Sequence, residues 1–163
     1  MREPHPPIAG IRPVSASTVR YPGIPALQTD TERYRCKGGG TLVVRVEAGD
    51  RVTLIDCEGG QACELSFLDE KGRFQSAGLG IAFTCAAEGL KSVLSSKEES
   101  ASRVGAALQR RGADLALAGA LRIFGEASPP GSTTEFTIAL KGLLIACAPG
   151  AAMSPEAQDT ATP

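Results

Sequence analysis

Asp56, Glu58 and Glu64 crowd one nine-residue stretch, Asp56-Cys57-Glu58-Gly59-Gly60-Gln61-Ala62-Cys63-Glu64. Carboxylates that share a site push their pKa values apart, so that one holds a proton while another accepts one. The same side chains also suit the solvated rim of a turn. Asp56, Gln61 and Glu64 are therefore carried forward as candidate ligand-binding residues. Cys36 and Cys85 are the candidate nucleophiles, and a thiol used covalently needs a base or a depressed pKa to activate it. The sole histidine, His5, stands in a proline-rich stretch, so neither a Cys-His pair nor a Ser-His-Asp triad is ready to hand. Cys57 and Cys63 flank one turn and could form a redox pair or supply two metal ligands. No C-x-x-C spacing occurs and no further ligand stands nearby, so no metal site is expected. The five cysteines also read as small buried hydrophobes.

Cys36-Lys37-Gly38-Gly39-Gly40 has the glycines of a phosphate cradle but not its context. Such a cradle follows a strand and opens a helix, whose amides face the anion. Here the glycines lead into a strand. Seventeen Lys and Arg balance eighteen Asp and Glu across 163 residues, aromatics are 4% and Trp is absent. That leaves no field to gather phosphates and few platforms for base stacking, so nucleic acid is not an expected partner. With 42% apolar residues the chain can bury one core. The N-terminal sequence lacks the apolar run of a signal peptide, and nothing approaches the ~20 apolar residues of a membrane span. A cytoplasmic, non-membrane protein is the expectation.

The elements that would position these residues follow from periodicity. Residues 1–30 hold six prolines and read as an extended arm with one short strand near Val14–Arg20. A single α+β domain is expected over 31–150. Its first half alternates at period two: Thr41–Glu47, Arg51–Cys57 and Gln61–Leu68, with Cys63, Leu65 and Phe67 on one face and Glu64 and Ser66 on the other. Short turns at Ala48-Gly49-Asp50 and Glu58-Gly59-Gly60 predict an antiparallel meander. The middle shifts to helical spacing. Ala86–Leu94 forms a weak segment. Ser95 and Ser96 with Glu98 and Glu99 form a capping-box pattern ahead of Ala101, Val104, Gly105 and Leu108. Gly112 ends that helix, and Asp114 caps a second one carrying Leu115, Ala118 and Leu121. Thr133–Leu140 and Leu143–Ala148 close as a hairpin about Lys141-Gly142. The fold class is thus α+β, mainly an antiparallel sheet or barrel-like sandwich, with a helical insertion between the third strand and the C-terminal hairpin. Residues 151–163 read as an extended linker or a truncated last strand.

Val46-Glu47-Ala48-Gly49-Asp50-Arg51-Val52-Thr53-Leu54-Ile55-Asp56, continued by Glu58-Gly59-Gly60-Gln61 and Glu64, resembles the core motif of the urea carboxylase-associated protein family. The variant with the Cys36–Gly40 lead-in and the Gln158–Pro163 ending is similar to the N-terminal domain of bacterial fusion proteins whose remainder is aminomethyltransferase-like. Family members acting on guanidine- or urea-derived compounds carry a central His-Asp pair and cysteine; here no histidine stands in that region, and Cys85 lacks the matching surroundings. The resemblance implies an accessory domain, docking or gating a small molecule through the sheet face around Gln61 and Glu64. No cofactor is implied in the domain itself, and tetrahydrofolate is implied only in a linked C-terminal module. Two alternatives stand beside it: a C–N hydrolase using Cys36 or Cys85 with Asp56 or Glu64 as base, and a structural domain that forms homo-oligomers.

Overall fold

The computed structural model describes residues 30–150. The expected arm, its strand near 14–20, His5 and the segment 151–163 lie outside the described residues. Residues 30–34 belong to a separate unit, in which Tyr34 Oη donates a hydrogen bond to the Glu32 carboxylate.

Seven strands and two helices follow in the order β1 (Thr41–Val46), β2 (Arg51–Asp56), β3 (Cys63–Asp69), β4 (Cys85–Ala86), α1 (Glu88–Leu94), α2 (Glu99–Arg110), β5 (Gly119–Ile123), β6 (Ser132–Thr137) and β7 (Gly142–Cys147). Every strand pairing is antiparallel. One sheet has five strands in the order β1-β7-β3-β5-β4, and the other pairs β2 with β6. The α+β, β-rich class expected from the alternation is what forms.

The meander is not. β1, β2 and β3 never pair with their sequence neighbours: β1 takes β7, β2 takes β6, and β3 lies between β7 and β5. β6 and β7 likewise sit in different sheets, so Lys141-Gly142 is no hairpin turn. The apolar faces of β1 and β2 are satisfied by stacking the two sheets, and the short turns become corners from one sheet to the other. The two corners interlock. Gly49 N donates to Ile138 O at 2.8 Å, and Ile138 N returns a bond to Asp50 O at 2.8 Å. Lys141 Nζ reaches Glu47 Oε1 at 3.0 Å across the same junction.

The five-stranded sheet is covered on both faces. Between the sheets, Leu65, Phe67, Leu121 and Leu144 of the larger one pack in one cluster with Phe136 and the partly buried Leu54 of the smaller. On the other face Leu68 and Ile145 pack under Leu90, Val93 and Leu108 of the helices. β3 is thus a central strand with no solvent side, and Glu64 and Ser66 are buried.

The helical insertion departs from expectation at both ends of its second part. Ser95 Oγ donates to Lys91 O at 2.7 Å and so finishes α1, while Glu98 precedes α2 with no side-chain cap; the capping box does not form. Gly112, at φ 87°, closes α2 with the Ala113 N to Leu108 O bond of 3.1 Å typical of a glycine stop. Asp114 Oδ1 does accept from Ala116 N at 2.9 Å, but the turn it caps ends at Leu117. Ala118 and Leu121 belong to no helix, because 119–123 is β5. Ladder bonds to β3 and β4 outweigh a weak local helical preference.

Candidate functional site

β2 ends on Asp56, only 4% exposed, and that carboxylate organises the loop after it. Oδ1 accepts from Gly59 N at 2.9 Å and Oδ2 from Gln61 N at 3.2 Å. Gly59 sits at φ 79°, and a Cβ there would lie 2.7 Å from Pro130 N. Glycine alone permits both the left-handed turn and this approach. Gly60 N donates to Ser128 O at 2.9 Å, so the β2–β3 loop is clamped onto the β5–β6 loop. In the latter, Phe124 holds φ 58°, a strained setting for a bulky side chain.

Between the two loops lies a pocket of about 440 Å³, lined by Gly60, Gln61, Ala62, Arg122, Gly125 and Glu126, and by Pro149 and Gly150. That volume suits a small organic molecule. A larger groove of about 670 Å³ runs between α1, α2 and Leu115, but Lys91 is its only charged residue. The smaller pocket is the chemically equipped one. Arg122 and Glu126 were not legible beforehand, since 115–121 carries helical spacing and hid the strand that presents Arg122. The sole local signal was the Gly-Glu-Ala-Ser-Pro-Pro-Gly run after it, a loop composition.

Two of the three expected ligand-binding residues therefore come together. Gln61 lines the pocket, and Asp56 acts beneath it by fixing the Gln61 backbone. Glu64 goes elsewhere. Its Oε2 accepts from Leu90 N at 3.1 Å in the first turn of α1, whose preceding residue, Ala87, has no side chain to cap with. A Cβ on Gly89 would stand 2.7 Å from that oxygen. Glu64 thus seats the helix on the sheet, a carboxylate meeting an otherwise unpaired first-turn amide.

The thiols lie near the same end of the sheet. Cys36 Sγ is 3.5 Å from Gly40 O and 3.8 Å from Ala146 O, and burial pushes its pKa up. Cys63 is pushed up to about 12 by burial, then by the neighbouring thiols Cys36 and Cys147 and the carboxylates Glu64 and Asp56. Cys147 is raised to about 11, again chiefly by burial. No nearby cation appears among these causes, whereas an activated thiolate needs one or an equivalent dipole. Cys85 stands exposed on β4, with Sγ 3.6 Å from Ala120 O, and Cys57 is exposed beside the loop. Neither nucleophile candidate lines the pocket. Among the described residues no three or more His, Cys, Asp or Glu side chains gather closely enough to hold a metal ion, and no helix is long and apolar enough to cross a membrane.

Fold and pocket together define a β-rich α+β sandwich with a small-molecule-sized cleft at one sheet end. The chain is 37% identical over 151 residues, 93% of its length, to the trimethylamine-oxide aldolase of Ruegeria pomeroyi (strain ATCC 700808 / DSM 15171 / DSS-3). It spans 19% of that protein, so the similarity is to one part of a longer enzyme, one not named for the urea carboxylase-associated family. No family model matches the chain, and no solved structure matches it significantly.

Proposed function

We propose that this chain is an accessory domain that binds and gates a small molecule for a larger enzyme related to trimethylamine-oxide aldolase. The observation that carries this reading is the similarity itself: nearly all of the chain aligns to about a fifth of that enzyme. The pocket supports binding, and the absence of Cys36 and Cys85 from its lining argues against covalent catalysis by this chain alone. On this reading the Val46–Glu64 motif reflects kinship with urea carboxylase-associated proteins. The partner is a linked aminomethyltransferase-like module, in which tetrahydrofolate would be held. The hydrolase alternative lacks a thiol in the pocket lining.

The test is to incubate the purified 163-residue chain with trimethylamine oxide, urea or guanidine and follow each by proton or carbon NMR. No consumption above the blank is expected. Turnover near an ordinary enzymatic rate, about 1–10 per second, overturns the accessory reading. Sequencing the coding region beyond codon 163 checks the linkage, and an aminomethyltransferase-like module is the expected finding.

A further inference from the structure

Arg122 and Glu126 line the same pocket, yet neither takes part in an ion pair among the described residues. Two opposite charges that share a cleft without meeting each keep unused pairing capacity. Three of the amides around them are already committed. Gln61 N is spent on Asp56, Gly60 N on Ser128 O, and Gly125 N on Ser128 Oγ at 2.9 Å. A phosphate or oxyanion would want such amides free, and Glu126 would repel it. A simple cation would meet Arg122. Asp56 does not reach the ligand, because it is buried beneath the loop and does not line the pocket. The polar side chains that line the pocket are one guanidinium, one carboxylate and the Gln61 amide, which both donates and accepts. Between the two charges the chain passes through Phe124 at φ 58°, a strained turn that carries Glu126 into the pocket wall opened by Arg122 on β5.

We infer that the pocket selects a small zwitterion, a molecule with a carboxylate at one end and an ammonium at the other. Arg122 takes the acid end in a bidentate pairing, for which guanidinium geometry is suited, and Glu126 takes the amine. This deepens the accessory-domain reading and rests on it for its place in a larger enzyme, but its test is one of binding and not of turnover.

The experiment titrates the full 163-residue chain with glycine, 4-aminobutanoate and 6-aminohexanoate, a series of increasing charge separation, and with butanoate and butylammonium as half-ligands. Binding is read by isothermal titration and by NMR shifts of the Gln61 and Gly125 amides. One zwitterion is expected to bind at least tenfold tighter than either half. Arg122→Gln is expected to reduce its affinity to the butylammonium level, and Glu126→Gln to the butanoate level, with circular dichroism and Tm unchanged because both side chains are exposed. If no zwitterion exceeds its halves, or if both folded variants bind as the parent does, the inference is wrong. Substrate turnover by the isolated chain would defeat the accessory reading and leave this binding result standing.

Discussion

The two faces of β3 are equally closed to water and are built on opposite principles. On the face toward β2 and β6, Leu65 and Phe67 fill the space between the sheets with carbon. On the face toward the helices, Leu68 packs under α1 and α2, but Glu64 and Ser66 are as well buried and each meets a backbone group: Glu64 takes Leu90 N, and Ser66 Oγ donates to Gly119 O at 2.8 Å. The apolar face sets how strongly the sheets adhere, whereas the polar face sets where α1 and β5 sit. A buried polar pair adds little net stability, but breaking it exposes the full cost of an unpaired group.

Truncation tests this contrast most severely on the carbon side. Phe67→Ala is expected to cost about 3–5 kcal/mol, read as a large drop in the urea midpoint of unfolding. On the polar side, Glu64→Ala is expected to cost about 1–3 kcal/mol by orphaning the Leu90 amide. Glu64→Gln, which keeps an acceptor, should stay within about 1 kcal/mol, near the usual net worth of one hydrogen bond. Equal losses for Ala and Gln would mean that the charge matters and not the acceptor. Ser66→Ala should lose about 0.5–1.5 kcal/mol.

The thiols extend the comparison, since Cys63 packs with the sandwich cluster and Cys147 with the helical one. Each is raised in the fold, so each releases its proton later in the native than in the unfolded chain. Their contribution to stability is complete below the ordinary thiol value of about 8.5. It falls as pH climbs toward the folded values of about 12 and about 11. Stability should therefore decline through the alkaline range in urea melts, and less steeply in Cys63→Ala. Below pH 8, a thiol reagent should modify the exposed Cys57 and Cys85 quickly, with Cys63 and Cys147 reacting only on unfolding.

The smallest effect lies at the far end of β3. Burial pushes the Asp69 carboxyl up, but bonds from the Arg73 amide and guanidinium and the Lys71 amide more than offset it, leaving its pKa below the usual range. Its contribution is present above about pH 4 and is lost as pH falls toward the lowered value. The stability gap between the parent and Asp69→Asn should close on acidification.

What could be read from the residues divides along the range of the interactions. Strand positions followed from period-two alternation in Thr41–Glu47, Arg51–Cys57 and Gln61–Leu68, within a residue or two of the observed β1, β2 and β3, because alternation is local. The left-handed glycines at 59, 60 and 112 followed from turn chemistry for the same reason. Strand partners did not follow, since nothing in β1 names β7 over β2 once both offer an apolar face. Leu115, Ala118 and Leu121 share a helical stripe at spacing three, and only the ladder beside Cys63 overrides it. That one misreading also concealed Arg122, and with it the charged half of the pocket. Glu64 was expected beside Gln61 at a ligand, but it accepts from Leu90 N of α1, a partner beyond any local pattern.

Because no ladder joins strands adjacent in sequence except the two-residue contact of β4 with β5 across the helices, the chain has little to assemble from its first third alone. Thr41 waits for Cys147, and Arg51 for Thr137. Such a wiring plan favours slow, all-or-none acquisition of structure. A ribosome must deliver β7 before β1 can settle, so a fragment ending ahead of residue 142 should emerge with β1 unmated, one edge of β3 bare and a tendency to clump.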